Sequence, residues 1–168
     1  KNGSESESCG NGTILTAFLL GLNNGKIEMK DNAAIIEGDE EKQSIIMSLK
    51  FSECKIINKD KKCVFVKMGE PHVVYSVDDI EKFNLAGIGE ALQMKYPNGV
   101  NVDAIQKIND SCYLIRTYER GIFAETKSCG TGSLSAYLAV ALLDGGKFND
   151  PTEFKSVGGF HRVSMVGN

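Results

Sequence analysis

Ser128-Cys129-Gly130-Thr131-Gly132-Ser133 opens an apolar run that closes at Asp144-Gly145-Gly146, and an earlier version of it, Ser8-Cys9-Gly10-Asn11-Gly12-Thr13, opens another that closes at Asn24-Gly25. From Cys9 to Cys129 the offset is 120 residues, and the same offset pairs Glu5 with Glu125, Ser6 with Thr126, Ile14 with Leu134 and Asn24 with Asp144. The chain therefore contains one unit twice. Such a duplication predicts two similar lobes, each presenting a cysteine at the start of a helix. Two facing thiols are the chemical expectation.

That position has a physical character of its own. The first backbone N–H groups of a helix lack internal partners and carry the positive end of its dipole. A thiol there is expected to lean toward thiolate, because helix N-termini lower the ordinary cysteine pKa of about 8.5 by a unit or more. Gly10 and Gly12, like Gly130 and Gly132, let the backbone come close to a ligand. The N–H groups around them form a seat for an anion such as a carboxylate.

Composition bounds what such a site can serve. At 168 residues and 42% apolar, the chain suits one large domain or two small lobes with an ordinary core. Its net charge is −3 with Lys and Arg scattered among the acids, which leaves no footprint for nucleic acid. The run Lys59-Asp60-Lys61-Lys62 reads as a solvated turn. No apolar run approaches the roughly 20 residues of a membrane span, and no signal-peptide pattern opens the chain, so it reads as soluble and cytoplasmic. Starting at Lys1 rather than Met, it reads as a fragment or processed product. Five cysteines without a secretory signal argue for reduced thiols rather than a disulfide framework. Cys54, Cys63 and Cys112 sit in strand-like apolar contexts and read as core. With no Cys-x-x-Cys pair and only His72 and His161, no metal site is expected.

The fold class read from the pattern is α/β, of the α+β kind. Ile14, Leu15, Phe18, Leu19 and Leu22 place a central helix over Thr13–Asn23, and strands follow over Ser44–Phe51, Cys63–Met68 and Val73–Val77. Asn58-Lys59-Asp60 is the candidate lobe boundary, giving lobes of 1–58 and 59–168. Asp78 and Asp79 are candidate caps ahead of a helix from Leu85 to Lys95, ended by Pro97-Asn98-Gly99. Val100–Ile108 and Cys112–Tyr118 alternate as half-buried strands joined at Asn109-Asp110. Glu119–Lys127 is a loop leading to a second central helix, Gly130–Leu143, and Phe154–Val166 forms two short strands about Gly158-Gly159.

One Ser-Cys-Gly-x-Gly copy alone is as well read as a tight turn whose cysteine merely packs. Two copies at matching helix starts, each with a glutamate four residues earlier, favour function. Two opposed thiols without metal or cofactor suit inversion at a carbon: one thiolate removes the α-proton of an amino acid while the other, as thiol, donates to the opposite face.

Asn2-Gly3-Ser4 ahead of Cys9-Gly10-Asn11-Gly12, then Tyr118-Glu119-Arg120-Gly121 and Glu125-Thr126-x-x-Cys129-Gly130-Thr131-Gly132, resemble the diaminopimelate epimerase family. Met68-Gly69-Glu70-Pro71-His72, Val77-Asp78-Asp79 and Gly99-Val100-Asn101-Val102 fall in the family's order, so the resemblance spans nearly the whole chain. It implies two pseudo-symmetric lobes, each a strand-rich, barrel-like sheet around a central helix, with the first lobe incomplete and the active site in the cleft between them. Cys9 and Cys129 become the acid/base pair, acting without pyridoxal phosphate or any other cofactor. Gly10, Asn11, Gly130 and Thr131 would hold the reacting carboxylate. Glu119 and Arg120 would meet the amino and carboxylate groups of the substrate, and Asn101 would add a polar contact at the distal end. Glu70 and His72 are further candidates, whereas His161 has no supporting motif. The implied partner is a small amino acid, with a homodimer left open.

The departures are specific. The resemblance implies a leading segment ahead of Lys1 with more strands and polar contacts. Glu70 stands where many family members have asparagine in a Gly-Asn-Pro-His motif, and a carboxylate there suits a cationic substrate end better than an anionic one. That keeps open a racemase of another amino acid, such as histidine, and an inactive fragment or binding module. A Cys9–Cys129 disulfide would block proton transfer and reads as an oxidative liability.

Overall fold

The computed structural model of the chain describes residues 10–22, 24–28, 33–39, 44–48, 53–58 and 60–165. The chain divides into two compact units, Lys1–Phe51 and Ser52–Asn168.

In the first unit, α1 (Gly10–Leu19) precedes β1 (Asn24–Glu28), β2 (Ala33–Asp39) and β3 (Ser44–Ser48). The three strands form an antiparallel sheet in the order β1-β2-β3, with Gly25 opposite Ile36 and Glu37 opposite Ile46. α1 begins three residues before the expected Thr13 and stops at Leu19, because Leu20 and Gly21 form a turn in which Gly21 takes φ +60°. Thr13 and Ala17 are buried, whereas Leu15, Leu19 and Leu20 are exposed.

The second unit is built on an eight-stranded sheet. Its strands are β4 (Glu53–Asn58), β5 (Cys63–Met68), β6 (Glu70–Ser76), β7 (Asn101–Asn109), β8 (Cys112–Glu119), β9 (Ala124–Thr126), β10 (Thr152–Ser156) and β11 (Gly159–Val163). The order is β11-β10-β8-β7-β6-β5-β4. β9 shares the outer edge of β8 with β10, lying against Thr117–Glu119 where β10 lies against Cys112–Leu114. Two parallel pairings, β6 with β7 and β8 with β10, need crossovers. α2 (Leu85–Gln93) supplies the first and α3 (Gly130–Leu143) the second.

These helices take opposite sides of the sheet. Alternation puts Val73, Val102, Ala104 and Tyr118 on one face, in a core with Ile80 and Leu85. His72, Asp103 and Thr117 point to the other face, toward the start of α3. With both faces covered, Asn101 to Ile105 are buried in succession, unlike the half-buried alternation expected of this strand. Every residue of α3 from Thr131 to Ala141 except Leu134 is buried.

Local chemistry sets the element ends. Asn84 caps α2, its side chain accepting from the Gly87 N–H at 3.1 Å. Asp79, expected as a cap, instead accepts from Glu81 and Lys82 in the preceding turn. Gln93 closes the other end by donating to Val100 O at 2.6 Å and accepting from Val100 N–H at 3.2 Å. The Lys61 N–H donates to Asn58 Oδ1 in the turn that joins β4 to β5. Glu119–Lys127, expected as loop, contains β9, which the β8 ladder holds in place.

Candidate active site at the start of α3

Cys129 is the N-cap of α3, with extended backbone at φ −135° and ψ 113°. Its carbonyl accepts the Ser133 N–H at 3.1 Å, which starts the helix. The preceding loop is fastened from the β10–β11 turn, where the Gly158 N–H donates to Lys127 O at 2.7 Å. A Cβ on Gly158 would sit 2.8 Å from that oxygen, so only glycine allows this approach. His161 on β11 completes the clasp, with Nδ1 at 2.8 Å from Ser133 Oγ and Nε2 at 3.4 Å from Ser128 Oγ. Burial holds its imidazole below the ordinary value.

Beneath the helix start lies a buried polar chain. His72 Nδ1 is 2.7 Å from Asp103 Oδ2, and both side chains are fully buried. Thr117 Oγ1 donates to Asp103 Oδ1 at 2.7 Å. On the other side of the ring, Nε2 lies 3.2 Å from Asn101 Nδ2 and 3.1 Å from Thr131 Oγ1. Asn101 decides the tautomer. Its Oδ1 accepts the Arg120 N–H at 2.9 Å, so its amide nitrogen, which can only donate, faces His72. Nε2 must then accept, and the ring proton sits on Nδ1, directed at Asp103. The same carboxylate explains Gly132, where a Cβ would meet Asp103 Oδ1 at 2.6 Å and Thr117 Oγ1 at 3.0 Å. This glycine makes room for a buried anion under the first turn of α3, where the helix dipole favours negative charge.

Beyond β8 the Glu119-Arg120-Gly121 turn carries the second set of expected contacts. Glu119 Oε1 accepts from Thr126 Oγ1 at 2.6 Å. Arg120 forms an ion pair with Glu70 and donates through Nη1 to Asn98 O at 3.1 Å. Gly121 takes φ +74°, which permits the tight return into β9.

The second unit thus brings together Glu70, His72, Asn101, Glu119, Arg120, Cys129 and Thr131 around one helix start. Gly130 belongs to the same start, and a Cβ on it would meet open space. Cys9 lies outside the described residues, and Gly10 and Asn11 open α1 in the first unit. Among the remaining cysteines, Cys63 and Cys112 are buried and Cys54 is partly so. Among the described residues no helix is long and apolar enough to cross a membrane. Asp103 and Thr117 were not among the residues expected at the site. The one available signal was an aspartate amid Val102, Ala104 and Ile105.

The charge state of the thiol reverses the expectation from the helix dipole. Burial first, then the carboxylates of Asp103 and Glu119, push the Cys129 thiol up to about 12. That shift favours the thiol over the thiolate near neutral pH.

The family model of diaminopimelate epimerase matches residues 64–168. The chain is 31% identical to the diaminopimelate epimerase of Aquifex aeolicus, over 86% of this chain and 56% of that protein. It is 30% identical to that of Methanocella arvoryzae, over 100% of this chain and 68% of that protein. The chain therefore spans between about half and two thirds of the length of these relatives. Among solved structures it is similar to a phenazine biosynthesis protein of the PhzF family from Bacillus anthracis, with a TM-score of 0.63 and 16% identity, over 93% of this chain and 66% of that one. That likeness speaks to the fold, a mixed α/β architecture dominated by strands. With the matched model covering most of β5, all of β6 to β11, α3 and the Cys129 motif, this chain belongs to the diaminopimelate epimerase family.

Proposed function

We propose that the protein is a cofactor-independent epimerase that interconverts L,L- and meso-diaminopimelate, with Cys9 and Cys129 exchanging the α-proton from opposite faces. The observation that carries this reading is the place of Cys129 at the N-cap of α3, its sulfur 3.5 Å from Thr131 Oγ1 and above the buried His72–Asp103 pair. In one direction the α C–H bond breaks with its electron pair left on carbon, and the proton goes to the Cys9 thiolate. The carbanion then takes the Cys129 proton, leaving Cys9 as thiol and Cys129 as thiolate, and the reverse reaction resets the pair. Amides at Gly130 and Thr131, with those at Gly10 and Asn11, would seat the α-carboxylate at helix N-termini. Glu119 and Arg120 would meet the amino and carboxylate groups of the substrate, and Asn101 its far end.

A second reading is favoured by the Glu70–Arg120 ion pair. An arginine already held by a carboxylate offers less to a second carboxylate of the substrate, so an amino acid with a neutral or cationic far end, such as histidine, fits the same chemistry. The test is chiral chromatography of L,L-diaminopimelate, histidine and other diamino acids after incubation with the reduced, full-length protein. Formation of meso-diaminopimelate supports the first reading. Turnover confined to the others supports the second, and binding without turnover of any of them leaves a binding module.

A further inference from the structure

The sulfur of Cys129 lies 3.5 Å from Thr131 Oγ1, and either group could donate that hydrogen bond on distance alone. The far side of Thr131 decides which one does. His72 Nε2 carries no proton, because Asn101 Nδ2 donates to it and Nδ1–H is directed at Asp103. Nε2 has one in-plane lone pair, which Asn101 Nδ2 and, at 3.1 Å, the Thr131 hydroxyl share, so the Thr131 proton is directed to Nε2 rather than to the sulfur. Thr131 then turns a lone pair toward the sulfur, and the bond runs from the Cys129 S–H to Thr131. A hydroxyl donating to sulfur would have favoured thiolate; this one is committed elsewhere.

We propose that Asp103 is a positioning residue which, through the Nδ1–H tautomer of His72 and the orientation of the Thr131 hydroxyl, holds Cys129 as the proton-bearing thiol. Asp103 acts on the sulfur through space, as a nearby carboxylate, and through two intermediate side chains, and is itself fixed by Thr117 and by the absence of a side chain at Gly132. The titratable and charged groups facing the sulfur are Asp103 on β7, Glu119 at the end of β8 and His72 on β6, with His161 on β11 reaching the adjacent Ser128. Among the described residues, removing Asp103's charge leaves Glu119 as the remaining anion that acts against the thiolate. The inference rests on the epimerase reading only for its catalytic consequence, that Cys129 is the resting acid, and its test does not need turnover.

The experiment follows iodoacetamide alkylation of Cys129 against pH by peptide mass spectrometry in the full chain, with Cys63 and Cys112, both buried, as internal reporters of unfolding. Asp103→Asn is expected to move the Cys129 profile to lower pH and to raise its rate near pH 8 by about tenfold for each pH unit the profile moves, while Cys63 and Cys112 stay protected. An unmoved profile with both reporters protected overturns the proposal. Because the Asp103 charge also acts on the sulfur through space, Thr131→Val, read beside Asp103→Asn whether or not the reporters stay protected, decides the relay by sign. Loss of an acceptor hydroxyl raises Cys129 reactivity and Thr131→Ser restores the wild-type profile, whereas lowered reactivity in Thr131→Val means that Thr131 donates to sulfur and the proposal is wrong.

Discussion

Glu70, the first residue of β6, is ion-paired with Arg120, the first residue beyond β8, and their side chains are 10% and 19% exposed. The pair ties the two strand ends that flank Asn101, whose Oδ1 also holds the Arg120 N–H. Glu70→Gln removes the carboxylate and frees the guanidinium. A charge-assisted hydrogen bond contributes about 1.5–3 kcal/mol, so KM for an amino acid bearing a second carboxylate is expected to fall about 10- to 100-fold. Steady-state kinetics on diaminopimelate and histidine check this, and an unchanged ratio of the two KM values removes Glu70 as the determinant of the far end.

Gly132→Ala tests the packing under α3. Alanine normally stabilises a helix interior by up to about 1 kcal/mol relative to glycine. Here the new methyl would lie 2.6 Å from Asp103 Oδ1 and 3.0 Å from Thr117 Oγ1, two buried groups bonded to each other. The expected outcome is a loss of roughly 1–3 kcal/mol in urea unfolding. Gly130→Ala, where the methyl meets open space, serves as the control. Equal midpoints for the two variants would mean that Asp103 is not held against the helix.

His161 gives a pH dependence of definite sign. Burial lowers its pKa below 6.5, so in the window beneath 6.5 the unfolded chain binds a proton that the folded chain refuses. Stability from this group is present above that window and declines as pH falls through it. Unfolding midpoints of wild type and His161→Gln from pH 7.5 downward should converge as the pH drops. Parallel curves would show that His161 titrates alike in both states.

Much of the second unit was legible in the sequence because its signals were local. The Cys129-Gly130-Thr131-Gly132 start and the Asp144-Gly145-Gly146 stop fix α3, and Asn109-Asp110 with flanking alternation marks the β7–β8 hairpin. β1, β2, β4 and β9 were missed for physical reasons: β2 and β4 carry Ile35-Ile36 and Ile56-Ile57 side by side rather than in alternation. Asn24–Glu28 holds a single strongly apolar residue and Ala124–Thr126 spans three, so strand-to-strand hydrogen bonding rather than side-chain pattern defines them. The motif-bearing residues of the second unit lie together at the start of α3, whereas Asp103 joins them without a motif, because sequence alternation does not reveal that a second helix covers the opposite face of β7. The protonation of Cys129 was misread for the same reason. The helix dipole is visible in one dimension, but the burial and the two carboxylates that outweigh it are set by the sheet.

The central claim is proton transfer by thiols at the α-carbon. Its most direct test is proton NMR of L,L-diaminopimelate in D₂O with reduced, full-length protein, comparing wild type with Cys129→Ala. The account predicts loss of the α-proton signal in wild type and a rate at least about 100-fold lower in the variant, as expected for removal of a general acid. Exchange at the wild-type rate without Cys129 would contradict it.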